Sequence, residues 1–249
     1  MQHELIIFDL DGTLFRGDVP TPFAVETVLK LRRRGQKVRF LTNNSGKSRH
    51  GLWEKLDAMG FEPKLDEVFG TASGVARYCK ENGISDAYIL GEDSLRDALR
   101  EASVTLSGDS AVIVGICRSY SYDDVNEAMQ RILSGSAFIA TNRDATYPLA
   151  YGKLVPGAGS LVSAIVTCTE TEPVLIGKPN SYMIRWILEE AGVEPASVLV
   201  VGDRIETDIE AGIAAGCHTH LVLCGVTGAD HPDIARLSLV ASPDISSLF

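Results

Sequence analysis

Short, continuous apolar runs alternate along this chain with longer segments in which apolar residues recur at helical spacing. Such runs are typical of strands buried on both faces of a parallel sheet, and the intervening segments are typical of the helices that cover it. The runs predict strands at residues 5–8, 38–41, 67–69, 174–176, 198–201, 221–223 and 239–241, and the spacing predicts helices at 22–34, 47–59, 73–82, 181–191 and 209–215.

The middle of the chain repeats this alternation on a smaller scale. Strands are predicted there at 87–90, 111–116 and 137–140, and helices at 94–102, 123–133 and 159–168. Strands that alternate with helices indicate an α/β protein with a doubly wound, Rossmann-like parallel sheet. We therefore expect a core formed by residues 1–73 and 173–249, with a smaller α/β domain inserted at 74–172.

The first predicted strand leads directly into two aspartates. Asp9 and Asp11 lie two residues apart, and Gly12 follows them. Open α/β sheets bind ligands at the carboxyl ends of their strands, and a glycine there lets the backbone turn so that amide groups point at an anion. Two carboxylates this close repel each other unless a cation lies between them or one of them is protonated. The stretch therefore predicts an active site suited to phosphate.

A hydroxyl group follows the second strand of the predicted core. Thr42 comes first, and we expect its hydroxyl and the backbone amides after it, beginning at Asn43, to bind the same phosphate. Thr42 and Ser45 are also suited to cap the next helix. The two roles are compatible, so the sequence leaves both open.

Charged residues follow two later strands. Lys178 comes after the strand at 174–176, and Asp203 and Asp208 come after the strand at 198–201. Taken singly, Lys178 suits a surface turn and Asp208 suits the exposed first turn of a helix, where a carboxylate is favoured by the helix dipole. Their joint position at strand ends indicates a shared site with Asp9.

The composition limits the class of protein. The 249 residues are 45% hydrophobic, enough for one large or two modest cores. A net charge of −10 and a pI near 5.0 disfavour nucleic acid and anionic membranes as partners reached through bulk charge. Five widely spaced cysteines indicate buried thiols rather than disulfides or a zinc site. With no signal-like amino terminus and no run of transmembrane length, we expect a cytoplasmic protein.

The order of these polar residues resembles that of a known family. The stretch Asp9-Leu10-Asp11-Gly12-Thr13, followed in order by Thr42, Lys178, Asp203 and Asp208, is similar to the motifs of the haloacid dehalogenase superfamily. The usual members of that superfamily are magnesium-dependent phosphatases with an aspartyl-phosphate intermediate. The second aspartate disfavours the dehalogenase branch, whose members generally lack it.

The resemblance implies a role for each of these residues. Asp9 is the nucleophile and Asp11 the general acid and base. Mg²⁺ is bound by Asp9, the backbone carbonyl of Asp11 and Asp203, while Asp208 orients a bound water. The groups implied to bind the phosphate are Gly12, Thr42, Asn43 and Lys178.

The inserted domain resembles a C2 cap of this superfamily. Thr141-Asn142-Arg143-Asp144, Pro148 and the segments 156–160 and 177–179 look like the branch of NagD-type nucleotide phosphatases, p-nitrophenyl phosphatases and phosphoglycolate phosphatases. Asn142 and Asp144 also suit a turn, and the glycines of 156–160 suit a helix start, so structural roles are favoured for most of these motifs. Motif position makes Asn142, Asp144 and Tyr147 candidates for substrate contacts. Tyr120, Tyr122 and Tyr151 also lie in this domain, and for any single tyrosine ordinary packing is a better explanation than a substrate contact.

These expectations combine into one functional prediction. The protein hydrolyses small phosphomonoesters such as sugar phosphates, nucleoside monophosphates, phosphoglycolate or glycerol phosphate, with Mg²⁺ as cofactor. A phosphotransferase or mutase of the same fold and a receiver-like signalling module are the alternatives. A receiver would lack the large insertion and would not need Asp11. The expected partner is a small phosphorylated metabolite, and homodimer formation is left open.

Overall fold

The computed structural model describes residues 3–148 and 154–248, so Tyr151 lies outside the described residues. The described strands are β1 Leu5–Asp9, β2 Phe15–Arg16, β3 Val19–Pro20, β4 Lys37–Thr42, β5 Val68–Gly70, β6 Tyr88–Leu90, β7 Ala111–Val114, β8 Ala137–Ala140, β9 Thr146–Pro148, β10 Leu154–Pro156, β11 Val174–Leu175, β12 Val198–Gly202, β13 His218–Val222 and β14 Ala241–Ser242. The described α-helices are α1 Ala24–Arg33, α2 Arg49–Ala58, α3 Thr71–Glu81, α4 Asp93–Glu101, α5 Tyr122–Leu133, α6 Ala158–Thr169, α7 Tyr182–Ala191, α8 Glu210–Ala214 and α9 Pro232–Arg236.

Six parallel strands form the larger sheet, in the order β14-β13-β12-β1-β4-β5. The central strand is β1, and its first four residues are fully buried, as its continuous apolar run predicts. The chain passes to one side of β1 through β4 and β5 and later to the other side through β12. Ligands bind α/β sheets at such a reversal of strand order. The predicted α/β fold with a parallel core is confirmed.

Four parallel strands form the smaller sheet, in the order β11-β8-β7-β6. One prediction is wrong here, because the strand at 174–176 was expected in the core and β11 instead pairs with β8. A two-residue apolar strand carries no information about which sheet edge it joins. The chain therefore returns to the larger sheet after Leu175, and not at residue 173. The other domain bounds stay predictions.

Several local features differ from the expected pattern. Ser73 lies inside α3 rather than capping it, because the helix already begins after Gly70. Ser48 caps α2, and its hydroxyl accepts a hydrogen bond from the Gly51 amide at 3.1 Å. Two antiparallel hairpins, β2 with β3 and β9 with β10, were not predicted. Their strands have two or three residues each, too few to show an alternating pattern.

A continuous apolar cluster joins the two sheets. Ile7 of β1 and Ile113 of β7 belong to this cluster, together with residues of α3, α4 and α7. Helix α3 approaches α7 closely at Gly74, where an added Cβ would collide with Sδ of Met183 and lie 3.2 Å from its Cε. Separate clusters fill the opposite faces of the two sheets. The inserted domain therefore packs on the core through shared apolar contacts.

No helix in the described part of the chain is long and apolar enough to span a bilayer.

Candidate active site

The carboxyl ends of the central strands bring opposite charges together. Lys178 donates hydrogen bonds through Nζ to Oδ1 of Asp9 at 2.5 Å and to Oδ1 of Asp208 at 2.6 Å. Its side chain is only 3% exposed, and that of Asp208 is 2% exposed. A charge removed from water to this extent needs close partners, and Lys178 has two. The surface-turn interpretation of Lys178 and the exposed-helix interpretation of Asp208 are therefore wrong.

The three carboxylates form a cluster that can hold a metal ion. One oxygen from each of Asp9, Asp203 and Asp208 lies within 4.8 Å of the others. Burial raises the pKa of Asp9 well above its usual range, with Lys178 acting against burial and the other two carboxylates adding to it. Burial and the nearby Asp208 raise the pKa of Asp203 to about 7. Burial and mutual repulsion disfavour the charged forms of these carboxylates unless a cation lies among them. Carboxylate oxygens are the hard ligands that Mg²⁺ prefers, so the cluster suits this ion.

Backbone amides fix the orientation of the two later aspartates. Asp203 accepts a hydrogen bond from the Val226 amide at 2.7 Å through Oδ2, and Asp208 accepts one from the Arg204 amide at 3.0 Å, also through Oδ2. Asp208 lies in a π-helical turn, Ile205–Ile209, which begins three residues after β12 ends at Gly202. Such turns occur often at functional sites, and here the turn points Asp208 back at the strand end. Of the two remaining oxygens, Oδ1 of Asp208 accepts from Lys178, and Oδ1 of Asp203 is left for a ligand among the contacts of the described residues.

Gly12 differs from its predicted role. Its amide donates to the Phe15 carbonyl at 2.8 Å, so this N–H is used inside the turn and does not point at an anion. Gly12 has a φ of +98°, and an added Cβ would lie 2.7 Å from Cγ of Asp203. The glycine is needed because the backbone takes a left-handed conformation directly against a candidate metal ligand.

Thr42 and Ser45 do not cap the following helix, because Ser48 occupies that position. The hydroxyl of Thr42 accepts a hydrogen bond from the Asn44 amide at 3.1 Å, and Thr42 lines the same cavity as Asp9. The hydroxyl of Ser45 instead accepts from the Ile116 amide of the inserted domain at 3.1 Å. The capping alternative is wrong, and the phosphate-binding role of Thr42 stays a prediction.

The side chain of Asn43 is fully engaged within the protein. Its Oδ1 accepts from the Lys178 amide at 2.9 Å, and its Nδ2 donates to the Lys178 carbonyl at 3.0 Å. The same Nδ2 lies 3.1 Å and 3.3 Å from the two carboxylate oxygens of Asp144. The predicted contact of Asn43 with phosphate therefore concerns its backbone amide alone, and that contact stays a prediction.

One cavity of about 350 Å³ unites nearly all the predicted site residues. Its lining includes ten of them: Asp9, Asp11, Thr42, Asn43, Asn142, Asp144, Tyr147, Lys178, Asp203 and Asp208. It also includes four basic residues that the sequence did not single out: Lys47, Lys55, Arg118 and Arg204. Two of these follow closely on recognised motifs, since Lys47 comes after the Thr42 loop and Arg204 comes directly after Asp203. Nothing in the local pattern indicates Lys55 or Arg118, which reach the cavity through tertiary packing.

Asp11 lies at the wall of this cavity. Burial raises its pKa, while Lys55, Lys178 and Lys47 lower it. A carboxyl group that holds its proton more strongly than usual is suited to act as a general acid.

The inserted domain contributes three predicted residues with different surroundings. Asn142 is buried, and its Nδ2 donates to the Asn43 carbonyl at 2.7 Å, so this side chain serves the junction between the domains. Asp144 is largely enclosed, and burial raises its pKa. Tyr147 accepts a hydrogen bond from Nε of Arg118 at 3.1 Å, and the guanidinium lies 5.7 Å from the centre of its ring. Tyr147 and Arg118 thus form one surface at the cavity.

Comparison with known proteins finds family and sequence matches along most of this chain. A family model described as haloacid dehalogenase-like hydrolase covers residues 6–105, and a second, HAD-hydrolase-like, covers 175–243. The chain is 36% identical over 228 residues to the 5′-nucleotidase YutF of Bacillus subtilis, covering 90% of this chain and 89% of that protein. It is 31% identical to phosphoglycolate phosphatase 1A of Arabidopsis thaliana, covering 97% of this chain and 72% of that protein.

Solved structures show the same likeness over the whole fold. The p-nitrophenyl phosphatase from Archaeoglobus fulgidus superposes with a TM-score of 0.92 at 32% identity, covering 100% of this chain and 98% of the other. NagD from Escherichia coli gives a TM-score of 0.89 at 30% identity, covering 99% and 98%. A glycerol phosphate phosphatase from Mycobacterium tuberculosis, solved with magnesium, gives 0.88 at 29% identity, covering 99% and 76%.

The predicted resemblance is confirmed by these matches. The chain covers most of its relatives, and their names describe phosphatases and a nucleotidase. The parallel core and the inserted α/β domain are shared with them over nearly every residue. The protein is therefore an enzyme of the haloacid dehalogenase-like hydrolases and belongs to their NagD-like branch of phosphatases.

Proposed function

We propose that this protein hydrolyses small phosphomonoesters in a magnesium-dependent reaction in which Asp9 becomes phosphorylated. The observation that carries the proposal is the contact of buried Lys178 with both Asp9 and Asp208 beside Asp203. This arrangement supports the proposal because the Asp9 carboxylate has one cation, Lys178, and two further carboxylates suited to a hard metal ion beside it. A phosphate dianion needs such positive charge before a carboxylate can approach it.

The residues present fit Mg²⁺. Asp9, Asp203 and the backbone carbonyl of Asp11 would hold the ion, and Asp208 would orient one of its waters. When bound, the ion neutralises charge on the phosphate and polarises its oxygens. The magnesium in the structure of the Mycobacterium tuberculosis relative supports this choice.

In this proposal, the chain's own residues carry out two successive displacements at phosphorus. An oxygen of Asp9 forms a bond to phosphorus as the ester P–O bond breaks, and protonated Asp11 donates its proton to the leaving alkoxide. The Asp11 carboxylate then takes a proton from water as the water oxygen bonds to phosphorus and the Asp9–phosphorus bond breaks. Phosphate leaves, and both aspartates return to their starting states. Lys178 and Thr42 would hold the phosphate oxygens during both displacements.

The cavity favours a small substrate. Its volume of about 350 Å³ lies at the lower end of the range for ligand sites. The relatives are named for a nucleotide, phosphoglycolate, p-nitrophenyl phosphate and glycerol phosphate, and we propose a substrate of this size class. Asp144, Tyr147 and Arg118 would contact its leaving group, since all three line the cavity. Asn142 would act indirectly, because its side chain is used at the domain junction.

The partner and the location of the protein are part of the same proposal. We infer a small phosphorylated metabolite as the partner and a cytoplasmic location, which the five free cysteines support. Homodimer formation stays a prediction.

The test is phosphate release from a panel of phosphomonoesters, with Mg²⁺ and with a chelator. Wild type is compared with Asp9→Asn and with Asp18→Asn, a matched control whose side chain is 96% exposed at the cavity rim. We expect release that requires Mg²⁺, disappears in Asp9→Asn and persists in Asp18→Asn. Folded wild type that binds Mg²⁺ but releases no phosphate from any ester would contradict the proposal. Trapping of phosphate on the enzyme without turnover would favour the signalling alternative.

A further inference from the structure

We propose that Asn43 is a positioning residue that couples the placement of Lys178 to the inserted domain through Asp144. The proposal rests on the proposed function only in assigning Lys178 to the phosphate. The contact itself is a property of the fold and can be tested without turnover.

One side-chain amide holds both backbone groups of Lys178. Asn43 Oδ1 accepts from the Lys178 N–H at 2.9 Å, and Asn43 Nδ2 donates to the Lys178 carbonyl at 3.0 Å. This paired contact fixes the backbone from which the lysine side chain extends. The lysine then reaches Asp9 and Asp208 at 2.5 Å and 2.6 Å. A displaced backbone at Lys178 would move its ammonium group away from both carboxylates.

The side-chain amide of Asn43 also contacts the inserted domain. The second N–H of Asn43 Nδ2 faces Asp144, whose oxygens lie 3.1 Å and 3.3 Å away. Asp144 is held in turn by Asn142, because Asn142 Oδ1 accepts from the Asp144 amide at 3.1 Å. Asn142 Nδ2 then returns to the Asn43 carbonyl at 2.7 Å. The three residues form a closed set of contacts between the two domains.

Asparagine is the residue type that this position requires. An amide offers two N–H donors and one acceptor group, and Asn43 uses all of them on Lys178 and Asp144. Aspartate has nearly the same shape but no N–H to donate. At residue 43 it would therefore place a second carboxylate against Asp144 in a largely enclosed setting, which is strongly unfavourable.

Gly177 keeps the lysine loop close enough for this contact. An added Cβ at Gly177 would lie 2.5 Å from Oδ1 of Asn43 and 2.8 Å from Cγ2 of Thr71. Real Cβ atoms do not approach other atoms this closely, so the loop touches Asn43 only because residue 177 has no side chain. The close approach and the hydrogen bonds are independent signs that this junction is specifically built.

An exchange of the two side chains tests the coupling. The four proteins are wild type, Asn43→Asp, Asp144→Asn and the double variant in which the two residue types are exchanged. Asn82→Asp, at an exposed amide that donates to the Tyr78 carbonyl, and Asp97→Asn, in an exposed ion pair, are the matched controls. The readouts are kcat and KM for p-nitrophenyl phosphate with Mg²⁺, the unfolding equilibrium in urea, and amide hydrogen exchange of the peptide containing Lys178.

We expect Asn43→Asp to lower kcat about a hundredfold, since it loses two buried donors and gains a like charge. Asp144→Asn keeps an acceptor for Asn43, so its urea unfolding and its hydrogen exchange at Lys178 should stay close to those of wild type. The kcat of the exchanged pair should be at least about tenfold higher than that of Asn43→Asp, because residue 144 can then donate a hydrogen bond to residue 43. Hydrogen exchange at Lys178 should rise in Asn43→Asp and fall again in the exchanged pair.

The outcomes separate this proposal from the proposed function. An exchanged pair no better than Asn43→Asp in kcat, unfolding and hydrogen exchange would overturn the coupling. Recovery of stability without recovery of kcat would show a merely structural contact and would also overturn the positioning role. If wild type releases no phosphate from any ester, the proposed function fails, and unfolding and hydrogen exchange still decide whether Asn43 holds Lys178 and Asp144 together.

Discussion

Removal of the metal ion should make this protein less stable as the pH rises. In metal-free protein, the pKa of Asp203 is raised by burial and by Asp208 to about 7, from an ordinary value of 3.8. The folded state therefore binds the Asp203 proton more tightly than the unfolded chain does. Such a group contributes its full stability below the unfolded pKa and loses it as the pH rises through the folded pKa.

The size of the effect follows from these two values. One pKa unit corresponds to about 1.4 kcal/mol, so the contribution of Asp203 falls by roughly 2–3 kcal/mol between pH 5 and pH 8. Asp9, whose pKa is also raised by burial, acts in the same direction. His3 and His220 act in the opposite direction, because burial lowers their pKa and favours folding as the pH rises. The difference between wild type and Asp203→Asn isolates the contribution of Asp203.

Urea unfolding of both proteins at pH 5, 6, 7 and 8, with chelator and with saturating Mg²⁺, measures this difference. With chelator, wild type should lose roughly 2–3 kcal/mol more than Asp203→Asn over this range. With Mg²⁺, wild type should regain stability at pH 8, because the ion binds deprotonated carboxylates in the folded state only. Equal pH profiles for the two chelated proteins would refute the reasoning.

Three further substitutions test the geometry of the site. Gly12→Ala should lower the free energy of unfolding by about 1–3 kcal/mol, because the added Cβ meets Asp203. The same change should raise the Mg²⁺ concentration needed for half-maximal activity, and an unchanged Mg²⁺ titration would contradict this. Lys178→Met should lower kcat about a hundredfold or more, because two buried carboxylates lose their shared cation; measured kcat within tenfold of wild type would exclude that role. Arg118→Gln should change the ranking of substrates by kcat/KM, because Arg118 lines the cavity. The matched control is Arg143→Gln, whose native side chain pairs with Glu172, and it should leave the ranking unchanged. A wild-type ranking in both variants would remove Arg118 from the substrate contacts.

The catalytic side of the site could be predicted because its residues follow buried strands. The carboxyl ends of parallel strands meet at one edge of a sheet, so Asp9, Thr42 and Asp203 are brought together by secondary structure alone. Their strand runs are short, continuous and rich in β-branched or aromatic residues, a pattern typical of strands buried in a parallel sheet. The predicted helices of the core agree with the structure to within a few residues because their apolar residues recur at helical spacing, whereas the short helix α9 was not predicted.

The contacts made through tertiary packing could not be predicted. Lys55 reaches the cavity from the middle of α2, where nothing in the helical pattern separates it from a solvated lysine. The Gly12 amide bonds to Phe15 within its own turn, and residue types alone do not show which partner an N–H chooses. β11 is two residues long, so its pattern could not distinguish between two sheets that both accept parallel edge strands.

The apolar cluster that joins the two sheets limits how modular this enzyme is. Because Ile7 and Ile113 belong to one cluster, the inserted domain cannot be excised without exposing part of the interior of the core. A chimera that exchanges this domain for that of a relative must also carry over the matching faces of α3 and α7, where Gly74 meets Met183. New substrate preferences are therefore easier to reach in this protein by changing side chains at the cavity than by exchanging the whole domain.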